Sequence, residues 1–227
     1  MRAGGLGLIF LLGCTAMPPP VREIPSAAIG EPAAAVDPSA EADDPLTLAA
    51  ECLARGDPPA AATHFELYVR KHPEQIMFRL HLADLLMTMN RVKEAQIHYE
   101  QFIADAQPSV GPPRERLVHC HTRLMEIARI NDDRFAERLH SGIGLVLLTR
   151  QKIEDAETRE EILCQGITAL REAREERPSD PRVYVYLAEA QERAGNRWAA
   201  EAARAAARNF AMPQALTPKE AIDLASP

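Results

Sequence analysis

Between residues 42 and 109 one pattern is written twice, 34 positions apart. Leu48-Ala49, Cys52, Gly56, Ala61, Phe65 and Tyr68 recur as Leu82-Ala83, Leu86, Asn90, Ala95, Tyr99 and Phe102, with Pro73 closing the first copy and Pro108 standing just past the second. Within each copy the apolar residues follow a period near 3.6, so each half reads as an amphipathic helix. Gly56 and Asn90 mark the turn between the halves. Small residues at Ala61 and Ala95 let two antiparallel helices approach closely, and Phe65 and Tyr99 fill the gap to the next pair. One pair cannot bury its own apolar face, so a chain carrying this pattern is obliged to stack neighbours on it.

These residues resemble a tetratricopeptide repeat, whose period, turn former and small-before-aromatic second helix they share. The resemblance implies an all-α fold, a right-handed superhelix of antiparallel helix pairs with about nine helices in all. Ala, Leu, Glu and Arg fill the chain, and its 5% aromatic content suits helices. In order, the spacing predicts helices over 44–55, 58–72, 74–89 and 91–107. A third copy returns near the C-terminus as Tyr184, Leu187-Ala188, Gly195, Ala200 and Ala207, with Arg204 in the aromatic's place. A polar second helix there suits a terminal unit whose outer side meets water.

Residues 113–177 do not follow the period and read as three long helices. The first carries Leu117, Cys120, Leu124, Ile127 and Ala128 on one face and ends at Asn131-Asp132. The second, 134–152, is apolar on most sides through Phe135, Leu139, Ile143, Val146 and Leu147, and is therefore expected to be central. His140, Ile143-Gly144 and Leu147 match the first-helix spacing of the family. That register pairs it with the third helix, 158–177, and leaves the helix at 114–130 as an extra one. After Pro213, Thr217-Pro218-Lys219-Glu220 is a capping box that opens a short helix, which packs over the last repeat or frays.

The N-terminus supplies an address. Arg2 is followed by an apolar run from Leu6 to Leu12, a small residue and a cysteine. That run is far shorter than the roughly 20 residues a span needs, so it reads as a secretory signal over 1–13. Leu11-Leu12-Gly13-Cys14 resembles a bacterial lipobox, which implies cleavage before Cys14 and diacylglycerol on its thiol; the alternative is an ordinary signal with a chance cysteine. Residues 14–44 then contain Pro18, Pro19, Pro20, Pro25, Pro32 and Pro38 among small and acidic residues. Such a stretch cannot pack and is expected to be a disordered tether, spanning on the order of 30 Å as a coil. The domain layout is thus a signal at 1–13, a lipidated tether at 14–44, a helical domain at 45–212 and a tail at 213–227. The expected location is a cell-envelope membrane, on its periplasmic or outer-surface side.

Chemistry is sparse. The formal charge of −7 and the lack of a basic stripe argue against nucleic acid. Without the signal, Cys52, Cys120 and Cys164 remain, an odd number with no need for a disulfide framework; each falls on an apolar helix face and is read as buried, with one bridged pair as the alternative. His119-Cys120-His121, with His140 on the adjoining helix, resembles a ligand set. Successive helical residues point about 100° apart, though, so the two imidazoles diverge and no metal is expected. Glu160, Glu161, Glu172, Glu175 and Glu176 alternate with arginines as salt-bridged solvent faces. No nucleophile motif or phosphate loop appears, so neither an enzyme, a cofactor nor a small-molecule substrate is expected.

What remains is the surface lined by the first helices. In the family, the second, fifth, ninth, twelfth and thirteenth residues of a repeat tend to face a ligand. In the second copy these are Met77, Leu80, Asp84, Met87 and Thr88. Adaptable apolar side chains beside one carboxylate suit an apolar segment of a protein partner, unless the next helix buries them. The peptide-carboxylate clamps of the family need Lys and Asn where this chain has Leu46 and Ala50. The resemblance therefore implies a membrane-tethered interaction scaffold, with a structural role in envelope or outer-membrane assembly as the alternative.

Overall fold

The computed structural model describes residues 44–106, 109–210, 216, 217, 220 and 221. The predicted signal, Cys14 and the proline-rich tether lie outside the described residues, as does most of the tail. Among the described residues every regular element is a helix: α1 (Pro45–Ala54), α2 (Pro58–Lys71), α3 (Ile76–Thr88), α4 (Val92–Ala106), the single turn α5 (Pro112–Glu115), α6 (Leu117–Ile130), α7 (Arg134–Leu148), α8 (Ala156–Glu176), α9 (Pro181–Arg193) and α10 (Arg197–Phe210). The fold is all-α, a stack of antiparallel helix pairs of the tetratricopeptide type.

Four connections use one turn. Gly56, Asn90, Asp132 and Gly195 take positive φ values of 73°, 59°, 54° and 77°. Behind each, a backbone N–H reaches back five residues: Asp57 to Cys52, Arg91 to Leu86, Asp133 to Ala128 and Asn196 to Gln191, all at 2.9 Å. This closes the end of the first helix while the chain reverses. The next helix starts at once. The side chains of Asp57, Asp133 and Asn196 accept from the backbone N–H of Ala60, Ala136 and Ala199 at 3.2, 3.0 and 3.1 Å.

The shared turn pairs α1 with α2, α3 with α4, α6 with α7 and α9 with α10. Its positions, 56, 90, 132 and 195, lie 34, 42 and 63 residues apart. The second gap is lengthened by the segment carrying α5, and the third by α8. The helix at 114–130, which the register of His140, Ile143-Gly144 and Leu147 left as an extra one, shares this turn with α7, while the pairing of α7 with α8 that the same register implied is also present. Sequence spacing hides this because the insertion shifts the period and an aspartate, rather than glycine or asparagine, holds the left-handed position.

α7 also packs along α8 as extensively as along α6, and touches α9. The α7–α8 crossing is set by Gly142. A Cβ placed there would lie 2.6 Å from Leu170 Cγ and 3.2 Å from the Gly166 carbonyl oxygen, whereas one on Gly144 would meet nothing nearer than His121 Cβ at 3.6 Å. Two glycines facing each other thus do at this crossing what Ala61 and Ala95 do in the first pairs. With Phe135, Leu139, Ile143, Val146 and Leu147 all buried, α7 is the central helix of the domain.

Most of the repeat-packing residues, Ala49, Phe65, Leu82, Ala83, Ala95, Tyr99 and Leu187, belong to one core cluster. Ala49, Ala61, Phe65, Leu82, Ala83, Ala95, Tyr99, Leu187, Ala188 and Ala200 are buried, and Leu48 is half-buried. Tyr99, Phe102, Leu82 and Leu86 are the largest side chains fully enclosed in the first half, each contributing about 2–3 kcal/mol by burial. At the other end Arg204, in the aromatic's place, forms an ion pair with Glu192 of α9. Cys52 and Cys120 are buried, but Cys164 is exposed. Leu163, Ile167 and Leu170 turn inward toward α7, and position 164 points away from that stripe.

Candidate functional site

A carboxylate joins the first helices α3 and α6. Asp84 Oδ1 accepts from the Tyr99 hydroxyl at 2.6 Å and lies 2.8 Å from His119 Nε2. Three helices thus converge on one group. Burial alone would raise the Asp84 pKa; hydrogen bonds from His119 and Tyr99, with the nearby charges of His119 and Arg123, outweigh it and hold the carboxyl below its ordinary range. The Tyr99 hydroxyl is pushed above its ordinary range by burial and by Asp84. Beside this group Arg123 Nη1 donates to Glu126 at 2.9 Å. A carboxylate that already accepts two bonds, with a depressed pKa, is a weak general base, so the arrangement suits cohesion and charge display rather than proton transfer.

Leu80 is only 3% exposed and belongs to the main core, which removes it from the partner-facing set. Met77 and Met87 pack their flanks against that core and are half-buried. Asp84 is held by Tyr99 and His119. Of the expected face, the two methionine edges, one side of Asp84 and the exposed Thr88 therefore remain on the surface. The 34-residue period carries Met87 back onto Leu53, which is 43% exposed, but does not single out Ile130, which is 62% exposed. Leu53 precedes its turn residue by three positions, as Met87 does, and Ile130 precedes Asp132 by two, as Thr88 precedes Asn90. Once the α6–α7 turn is recognised, Ile130 takes the position of Thr88, one residue on from that of Leu53 and Met87; before it, Ile130 has no register.

His119-Cys120-His121 splits three ways. His119 meets Asp84, Cys120 enters the core, and His121 turns into the interior, where its Nδ1 lies 3.1 Å from the Nδ1 of His140 on α7. The two imidazoles of the triplet therefore face different partners. Among the described residues no group of three or more His, Cys, Asp or Glu side chains is placed to hold a metal.

A second polar junction ties α7 to α9. Arg150, just past α7, donates through Nε and Nη2 to the two oxygens of Glu189 at 2.6 and 2.5 Å, and Arg193 Nε adds a third bond to Glu189 at 3.1 Å. Next to it, Gly111, Arg114, Val118, Leu147, Arg150 and Gln151 border an open hollow of about 540 Å³.

No protein-family model matches the chain, and no curated protein matches it. Solved structures similar to it include MamA, at 15% identity and a TM-score of 0.36, over 72% of this chain and 94% of that one. Another is TTC0263, described as a thermophilic tetratricopeptide-repeat protein in Thermus thermophilus, at 22% identity and a TM-score of 0.33, over 73% of this chain and 72% of that one. A third, MamA 41-end from Desulfovibrio magneticus RS-1, is 15% identical with a TM-score of 0.32, over 78% of this chain and 97% of that one.

Proposed function

We infer that the protein is a non-enzymatic protein-binding scaffold, held on a cell-envelope membrane by lipid on Cys14. One observation carries the binding assignment: Leu53 and Met87, each three residues before its turn, and Ile130, two residues before the third, leave apolar surface near the turn ends of three successive first helices, two of which also carry the Asp84–His119 and Arg123–Glu126 pairs. Apolar side chains left on a shared face, next to ordered charges, suit a protein segment of mixed character better than a small molecule. The lipobox-like Leu11-Leu12-Gly13-Cys14 supports the anchor. Among the described residues no helix is long and apolar enough to cross a membrane.

The test is cross-linking and co-purification from solubilised membranes with the Leu53→Asp/Ile130→Asp double variant, against Thr168→Asp on the exposed side of α8. Loss of captured partners from the first variant alone is the expected result. Equal capture by both would refute the face. Mass spectrometry of the N-terminal peptide tests the anchor separately, and an unmodified Cys14 in a soluble exported product would sink it.

A further inference from the structure

The far end of the array is occupied by the chain's own tail. Thr217 N donates to Glu220 Oε2 at 2.7 Å and Glu220 N donates to Thr217 Oγ1 at 3.3 Å, so the expected capping box closes. Ala221 N then bonds the Thr217 carbonyl at 3.0 Å. Glu220 is only 4% exposed. Its carboxylate accepts from the Tyr186 hydroxyl of α9 and lies within the field of Arg182 on the same helix, whose guanidinium is itself held by Asp180 at 3.0 and 2.7 Å. Four residues earlier, Leu216 packs on the Val185–Ala207 cluster, as Tyr184 does.

The position of Ala207 explains what the tail replaces. It stands seven residues after Ala200, as Tyr68 stands after Ala61 and Phe102 after Ala95. In the first pair that position carries the stack onward: Tyr68 meets Phe78 of α3 edge-on, with ring centroids 4.8 Å apart. Leu216 therefore sits where the first helix of a following repeat would sit. Ala207 is small, so the seat is shallow and apolar, and beside it Tyr186 supplies a hydroxyl donor and Arg182, already paired with Asp180, a further favourable field for a carboxylate. A helix start fits this seat if it carries an apolar residue and, four positions later, a carboxylate.

We propose that the α9–α10 end is a docking surface for a partner helix of that chemistry, an apolar residue followed at the fourth position by glutamate, and that the chain's Leu216 and Glu220 occupy it in competition. The tail's advantage is its connection. Only residues 211–215 separate it from α10, which gives an effective concentration in the millimolar range, so modest intrinsic affinity keeps it seated. The chemistry does not suit the chain's own α1 as a second-copy occupant, because its first turn reads Pro45-Leu46-Thr47-Leu48 and has no carboxylate.

The experiment uses the full chain and a fluorescent peptide copying residues 213–227. Wild-type protein is expected to bind it weakly. The release variant Leu216→Asp/Glu220→Lys is expected to bind it at least tenfold more tightly, and a peptide with its glutamate changed to lysine is expected to lose at least tenfold on that variant. Equal binding by wild type and release variant, or indifference to the peptide's glutamate, overturns the proposal. A peptide-independent dimer of the release variant overturns it too, because a second copy would then be the occupant. Hydrogen exchange on the wild-type chain serves if the variant fails to fold. Unlabelled peptide at millimolar concentration should speed exchange of the chain's Thr217–Ala221 amides several-fold, and no change would end the proposal.

Discussion

The Nδ1 atoms of His121 and His140 meet at 3.1 Å between α6 and α7, and His121 Nε2 is buried without a hydrogen-bond partner. One Nδ1–H donates to the other ring's lone pair, so both imidazoles are neutral in the folded protein. Burial holds the His140 pKa down at about 4, with Arg182 adding to the shift and Asp133 opposing it. His121 is pushed well below 6.5 by burial first, then by His140, Arg182 and Arg150. Unfolded histidines take up protons near 6.5 while these do not, so stability is full above that pH and declines as pH falls from about 6.5 toward 4. The His140 contribution amounts to about 3 kcal/mol over that window. In urea titrations the His140→Phe variant should show a shallower decline, by close to one proton, between pH 6.5 and 4.

Gly142 and Gly144 lie two residues apart on α7 and should respond to alanine in opposite directions. Gly142→Ala forces a methyl into Leu170 and the Gly166 carbonyl, and overpacking of about 1–3 kcal/mol exceeds the helix-propensity gain. Gly144→Ala meets only ordinary contact with His121 and should gain about 0.5–1 kcal/mol. Thermal melts of the two variants decide it; the same sign for both would mean that the α7–α8 crossing is not closed by glycine.

Tyr99, Asp84 and His119 act as one unit. Tyr99→Phe removes a single bond to a carboxylate that keeps His119, and should cost about 1 kcal/mol. Asp84→Ala leaves the buried Tyr99 hydroxyl without its acceptor and should cost about 2 kcal/mol. The double variant should cost less than the sum, by at least about 0.5 kcal/mol, in a chemical-denaturation cycle.

Glu189 accepts from both Arg150 and Arg193 and is mostly enclosed. Glu189→Ala removes two acceptors from Arg150 and one from Arg193 at the α7–α9 contact and should destabilise by about 2–3 kcal/mol, through the lost hydrogen bonds between charged groups. Replacing Arg150 as well, with Met, should recover part of that loss. A double variant no better than Glu189→Ala would show that the pair supplies attraction beyond its desolvation.

Ala61, Phe65, Ala95 and Tyr99 announce a helix-pair array through their spacing alone, because small and aromatic residues at one period have few other uses. Asp57, Asp133 and Asn196 mark helix starts for an equally local reason: a short oxygen-bearing side chain satisfies N–H groups three residues on. The capping box of Thr217 and Glu220 is legible in the same way. The candidate face was less so. Leu80 carries the family's partner-facing register yet is buried, since register gives direction from the helix axis and says nothing of what packs there.

The sequence by itself thus determined the helices, their order and the regular N-terminal pairs, all of which depend on residues within about one repeat of each other. Only the tertiary structure decided that α6 and α7 share the repeat turn, that Gly142 rather than Gly144 meets α8, that His121 finds His140, and that Asp84 joins His119 across 35 residues. Asp84 and His119 are separated by the insertion that carries α5, and Gly142 meets a helix added after its own pair, while His121 and His140 lie within one pair whose register the insertion displaces. Such contacts are selected by shape, burial and charge in the folded core, where no spacing along the chain records them.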